Sequence, residues 1–123
     1  MNPAWTYRAR SSRIVDGDTI DVTIDLGFRV VTFQRLRLAG VNTPEIRGAE
    51  RPAGLDATEF VNEWIARART AGDDWPLVIK TGKTGKYGRW IARLYNTAGD
   101  CLNDDLDSAG HNKTPNYGPG NWT

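Results

Sequence analysis

Polar and apolar residues alternate without interruption from Thr19 to Leu26, with Ile20, Val22, Ile24 and Leu26 on one parity and Asp21, Thr23 and Asp25 on the other. A period of two places the first set on the dry face of a strand and the second on the wet face. Gly27 breaks the pattern, and Phe28 to Leu38 resumes an extended run rich in β-branched and aromatic residues, which predicts a hairpin turning at Leu26-Gly27. Tyr7 to Val15 predicts a preceding strand, joined to the hairpin by a tight Asp16-Gly17 turn. Within Phe28 to Leu38 the phase changes, because Val31 and Phe33 share one parity and Leu36 and Leu38 the other. A β-bulge near Gln34 accounts for the change, and a buried strand with apolar residues on both faces accounts for it equally well.

Farther along, Arg51-Pro52-Ala53-Gly54 reads as a breaker. A helical period follows, with an apolar face of Leu55, Phe60, Trp64, Ile65 and Ala68 that ends by Gly72. Leu77 to Thr81 and Trp90 to Tyr95 are short apolar runs on either side of a glycine- and lysine-rich loop and predict a second hairpin. Leu102 to Ala109 predicts a short helix closed by Gly110. The segment from His111 to Thr123 has no periodicity and reads as an irregular tail. Three strands, a helix, two strands and a last helix fit no alternating βαβ scheme. They fit a β-rich α+β fold: a five-stranded Greek-key barrel of the OB type with one main helix and a short C-terminal helix, spanning residues 1–110 and followed by a tail over 111–123.

At 123 residues the chain can bury one core and not two. Its net charge of +1 is not the broad basic excess of many nucleic-acid binders, so any polyanion site must be local. Arginines crowd the first half, whereas Asp100, Asp104, Asp105 and Asp107 face only Lys113, which predicts one basic face and one acidic edge. A single cysteine, Cys101, and a single histidine, His111, exclude an internal disulfide and a thiolate-rich zinc site and disfavour a His-based nuclease centre. Chemistry therefore falls to carboxylates and arginines. No apolar run approaches the roughly 20 residues of a membrane span. The start, Met1 to Arg8, lacks the pattern of a secretion signal, so a cytoplasmic location is expected unless a signal was removed.

Asp16-Gly17-Asp18 sets two carboxylates across a glycine, a spacing that can bring hard oxygen ligands to one cation, although Asp-Gly is also among the commonest turn pairs. Ile20 and Asp21 exclude an EF-hand. In Asn42-Thr43-Pro44-Glu45 the proline stiffens the backbone and can hold the Thr43 carbonyl and the Asn42 and Glu45 side chains in a fixed fan; an ordinary turn is the plainer reading. Arg37 and Arg89 are candidate phosphate clamps, since a guanidinium is a permanently charged fork matched to two phosphate oxygens. Pattern alone does not separate Arg37 from Arg35, and pairing with Asp21 or Asp25 is their plain surface role. The Lys80 to Gly88 loop is not a Walker motif, because Leu77 stands where the first glycine belongs.

In order and spacing, Val15-Asp16-Gly17-Asp18-Thr19, Arg37 through Val41-Asn42-Thr43-Pro44-Glu45, and Lys86-Tyr87-Gly88-Arg89 resemble the thermonuclease family, the staphylococcal-nuclease-like domains. The resemblance runs from about Ile14 to Gly110 and implies the OB barrel. It also implies that Asp18 and the Thr43 carbonyl ligate calcium, with Asp16 one layer further out. Glu45 would position or activate water, Arg37 and not Arg35 would join Arg89 on the scissile phosphate, and Lys86 and Tyr87 would contact a terminal phosphate. Asn42 departs from the family, whose usual residue there is a ligating aspartate. An amide still offers an oxygen, but the lost charge weakens cation affinity or shifts preference toward magnesium or another divalent ion. The tail departs as well, leaving Tyr117 and Trp122 as loosely placed stacking faces.

The implied function is a calcium-dependent nuclease that hydrolyses DNA, with RNA as a further substrate, in single-stranded or locally open form. It would leave 3′-phosphate ends with little sequence preference, acting as a monomer without a membrane partner. The alternative is an OB barrel that binds nucleic acid or protein and has lost catalysis. Asn42 favours the alternative; Arg37, Glu45 and Arg89 together oppose it.

Overall fold

In a computed structural model, which describes residues 5–69, 72–84 and 90–113, five strands close into one barrel. They are β1 (Trp5–Asp16), β2 (Thr19–Asp25), β3 (Val31–Leu38), β4 (Leu77–Thr84) and β5 (Trp90–Asn96). Neighbours follow the order β1-β2-β3-β5-β4, and β4 closes onto β1. Every pairing is antiparallel except β3 with β5, where the chain crosses over through helix α1 (Arg51–Arg69). Helix α2 (Leu102–Ser108) follows β5. This is the OB-type, β-rich α+β barrel that the order of elements predicts.

The dry parity of β2 points inward as expected, with Ile20, Val22 and Ile24 packed among Leu36, Leu38, Leu77, Ile79 and Leu94. Helix α1 lays Val61, Trp64 and Ile65 on this core and α2 adds Leu102 and Leu106. Each such side chain contributes about 1.5–3 kcal/mol on leaving water. The Trp64 indole N–H donates to the Asp105 carboxylate at 2.8 Å, which ties the two helices together.

Three expectations need correction. First, β3 has no bulge: its register against β2 is unbroken from Thr19↔Arg37 to Asp25↔Val31. Leu36 and Leu38 face the core, while Val31 and Phe33 face water at 41% and 74% exposure, so neither explanation of the phase change holds. The irregularities sit in β1 instead, between Ser11 and Arg13 and between Ile14 and Asp16. That long strand pairs with both β2 and β4, and bulges let it curl to reach both. Second, the β2–β3 turn is wider than two residues. Leu26 N–H donates to the Val30 carbonyl at 2.9 Å, and Gly27, Phe28 and Arg29 all have left-handed φ, at 84°, 55° and 63°.

Third, Arg51 to Gly54 is the first turn of α1 and not a breaker. Proline is tolerated there because a first-turn N–H has no partner within the helix. Gly54 is required by proximity: a Cβ at that position would lie 2.2 Å from the Glu45 carbonyl oxygen. The buried stripe accordingly runs through Gly54, Ala57, Val61, Trp64, Ile65 and Ala68, and Leu55 is exposed. Past α2, residues 111–113 have no helix or strand but are anchored to the fold. Gly110 adopts φ 84°, the His111 N–H closes α2 on the Leu106 carbonyl at 2.9 Å, and Asn112 is buried. Tyr117 and Trp122 lie outside the described residues. Among the described residues no helix is long and apolar enough to cross a membrane.

Candidate functional site

The β1–β2 turn is built around two carboxylates. Asp16 pairs with Thr19 at the end of the ladder, and its Oδ1 accepts the Asp18 N–H at 3.1 Å, which folds the turn back on itself. Asp18 is buried. Its Oδ1 accepts the Thr19 hydroxyl at 3.0 Å and its Oδ2 accepts the Thr43 N–H at 3.1 Å, while its carbonyl accepts the Leu38 N–H at 2.9 Å. The glycine between the two serves packing: a Cβ on Gly17 would sit 2.8 Å from the Thr43 side chain. Gly17 is thus where the turn and the Asn42–Glu45 loop press together.

Arg37 holds the other side of that loop. Its Nη1 donates to the Leu38 carbonyl at 3.1 Å and to the Val41 carbonyl, and lies 3.5 Å from Asp18 Oδ2, with both side chains largely shielded from water. Two buried asparagines fasten the backbone around it. Asn103 Nδ2 donates to the Ala39 and Ala92 carbonyls, at 2.9 and 3.1 Å, and Asn112 accepts the Asn42 N–H at 3.0 Å while donating to the Gly40 carbonyl at 3.2 Å. The Lys113 N–H donates to the Asn42 carbonyl at 2.9 Å. Glu50 completes the frame by accepting both the Glu45 N–H at 2.9 Å and the Lys113 ammonium at 2.8 Å.

The electrostatics follow from this crowding. Burial, then the hydrogen bond and the charge of Asp18, push the Asp16 carboxyl up to about 6. The Glu50 carboxyl is held below its ordinary value by the Glu45 N–H and the Lys113 ammonium. Lys113 is raised chiefly by its bond to Glu50, with the charges of Glu45 and Asp18 adding smaller attractions. The Thr43 Oγ1 is buried with no hydrogen-bond partner among the described residues.

Of the residues singled out in the sequence, Asp16, Asp18, Arg37 and Thr43 come together in one cluster. Asn42 and Glu45 flank Thr43 on the same anchored loop, and the Glu45 residue is exposed. Arg35 takes the plain surface role, bonded twice to Asp21 at 2.7 and 3.1 Å, which separates it from Arg37 by geometry. Lys86, Tyr87 and Arg89 lie outside the described residues; the described chain resumes at Trp90, opposite Leu36 and beside Arg37. Among the described residues no three His, Cys, Asp or Glu side chains gather as a metal site, so a cation here would depend on amide and carbonyl oxygens as well. Sequence reasoning missed Asn103, Asn112, Glu50 and Lys113. Nothing in the local pattern marks them, since an asparagine in a polar stretch looks the same whether it faces water or fastens a loop.

No family model matches the chain. An uncharacterized protein of Methanocaldococcus jannaschii is similar to it, 25% identical over 114 aligned residues that cover 79% of this chain and 53% of that protein. The chain thus spans about half the length of this curated relative.

Proposed function

We propose that this chain is a metal-dependent nuclease of the staphylococcal-nuclease-like kind, hydrolysing phosphodiester bonds of DNA and RNA in extended, unpaired form. The observation that carries the proposal is the meeting of Asp18, Arg37 and Thr43, from three separate stretches of sequence, within hydrogen-bond or ion-pair distance at one end of the barrel. The donor set suits a hard divalent cation: every candidate ligand is an oxygen. Asp18, the Asn42 side-chain oxygen and the Thr43 carbonyl would hold calcium, which when bound supplies Lewis-acid stabilisation of the phosphate oxygens.

The protein's own groups do the rest. Arg37, oriented by the Leu38 and Val41 carbonyls, presents positive charge where the equatorial oxygens gain negative charge, and Arg89 adds a second fork. Glu45 takes the proton of the attacking water, the 5′ oxygen leaves, and the phosphate stays on the 3′ end. Lys86 and Tyr87 grip a terminal phosphate.

Digestion of denatured DNA with calcium, with magnesium and with chelator tests this reading. Calcium-stimulated cleavage is expected, lost in chelator and reduced about 10³-fold or more in Arg37→Ala and Arg89→Ala. Asn42→Asp is expected to tighten calcium binding about ten-fold by calorimetry, because affinity follows the charge of the ligands. A second reading, a barrel that binds nucleic acid without cutting it, is favoured by Asn42 and by the lack of three gathered carboxylates among the described residues. Tight binding with no cleavage under any metal would decide for it.

A further inference from the structure

The outer face of β1, β2 and β3 carries cross-strand rows that run from the candidate site to the far turn. Arg37 stands beside Thr19 at the top; below it come Arg13, Asp21 and Arg35, then Arg10, Thr23 and Phe33, then Arg8, Asp25 and Val31. The distance from Arg37 to Val31 along β3 is about 20 Å at the rise of an extended strand. At the lower end Phe28 is fully exposed and Phe33 is 74% exposed. An open recess of about 430 Å³ lies beside them, walled by Phe28 and Trp75 and bordered by Arg29 and by the ion pair of Arg8 with Asp25. Arg10 covers the Trp75 ring, 4.7 Å from its centroid.

Folding does not explain this surface. A phenylalanine wholly in water adds nothing to the core, and left-handed backbone at Phe28 and Arg29 opposes folding. The chemistry does suit one class of ligand. Flat aromatic faces beside guanidinium groups bind unpaired bases and the phosphates that link them, whatever the base sequence. Same-face residues on β3 repeat every ~6.8 Å, close to the phosphate step of an extended single strand. On this face Arg8, Arg10, Arg13, Arg29 and Arg35 stand against Asp21 and Asp25, a local excess of positive charge larger than the +1 of the whole chain.

We infer that the outer β1–β2–β3 face is a second, cation-independent contact for single-stranded nucleic acid, with bases stacked on Phe33 and in the Phe28–Trp75 recess and phosphates held by Arg10 and Arg29. The inference rests on the proposed function only in its direction, since the track leads to Arg37; the binding itself holds whether or not the chain cuts.

The test is fluorescence anisotropy of a labelled oligothymidylate of about twelve nucleotides in chelator, where metal-dependent cleavage is silent. Wild-type protein should bind. Phe33→Ala and the Phe28→Ala/Arg29→Ala double variant should each bind about ten-fold more weakly, and Leu55→Ala, an exposed apolar site on α1, should bind as wild type. All of these side chains are exposed, so circular dichroism should report folded variants. No wild-type binding, or equal binding by the variants, overturns the inference. So does sedimentation showing that the patch joins two copies of the chain and releases them in Phe33→Ala. Weakened binding in the variants, with no cleavage by the wild type under any metal, would sink the hydrolase reading and leave this one standing.

Discussion

The two ends of the β2–β3 hairpin are built on opposite principles. Where Thr19 meets Arg37, the Asp18 carboxylate and the Leu38 and Val41 carbonyls are bonded within the protein, and four chain segments converge to do it. At the other end Leu26, Phe28 and Val30 stand in water on a left-handed turn. The same two strands support both. One end spends stability if it is altered; the other spends stability by being as it is.

Changes at the two ends should therefore move stability in opposite directions. The largest effect is expected from Gly54→Ala, which forces a methyl group into the Glu45 carbonyl oxygen, backbone against backbone. Urea denaturation should register a loss of about 3 kcal/mol. A loss under about 1 kcal/mol would mean the loop yields and the site end is not rigid. Asn112→Ala should follow, costing about 2 kcal/mol in the same assay, since it strands the Asn42 N–H and the Gly40 carbonyl. Unchanged stability there would show that residues 111–113 merely lie beside the loop.

Acidity sharpens the contrast. The Asp16 carboxyl sits at about 6 in the folded chain against an ordinary 3.8, so between those values the folded state binds more proton than the unfolded one. Stability should fall as pH rises through this window in metal-free buffer and remain lower above it. Asp16→Asn removes that slope: its melting temperature should exceed that of the wild type above pH 6, with the advantage gone below about pH 4. Parallel melting curves against pH would assign the effect elsewhere. The smallest change is expected at the tip, where Phe28→Gly should stabilise by up to about 1 kcal/mol through release of the left-handed strain. A destabilised variant would mean that the phenylalanine serves the fold after all, and the contrast between the ends would fail.

Much of the architecture was legible because it is encoded locally. The period of two in Thr19–Asp25 names its own inner face, and Gly110 ends α2 where a left-handed residue is needed. The misreadings share a cause. Phe33 reads as inward because it is apolar, yet its place is set by the register against Thr23. Arg51-Pro52-Ala53-Gly54 looked like a break because its glycine answers to Glu45, which no local window contains. The anchoring of Asn112 has no local sign because the Asn42 N–H it accepts lies 70 residues away.

The sequence by itself determined the barrel, the order of its elements and the residue types able to handle a phosphate, because hydrophobic period and side-chain chemistry are properties of short stretches. Only the tertiary structure decided that Arg37 reaches Asp18 while Arg35 pairs with Asp21, that asparagines from α2 and beyond fasten the loop, and that Val31 and Phe33 of β3 face water. Those outcomes depend on which distant backbone groups meet, and a hydrogen bond across the fold leaves no mark on the spacing of residues along the chain.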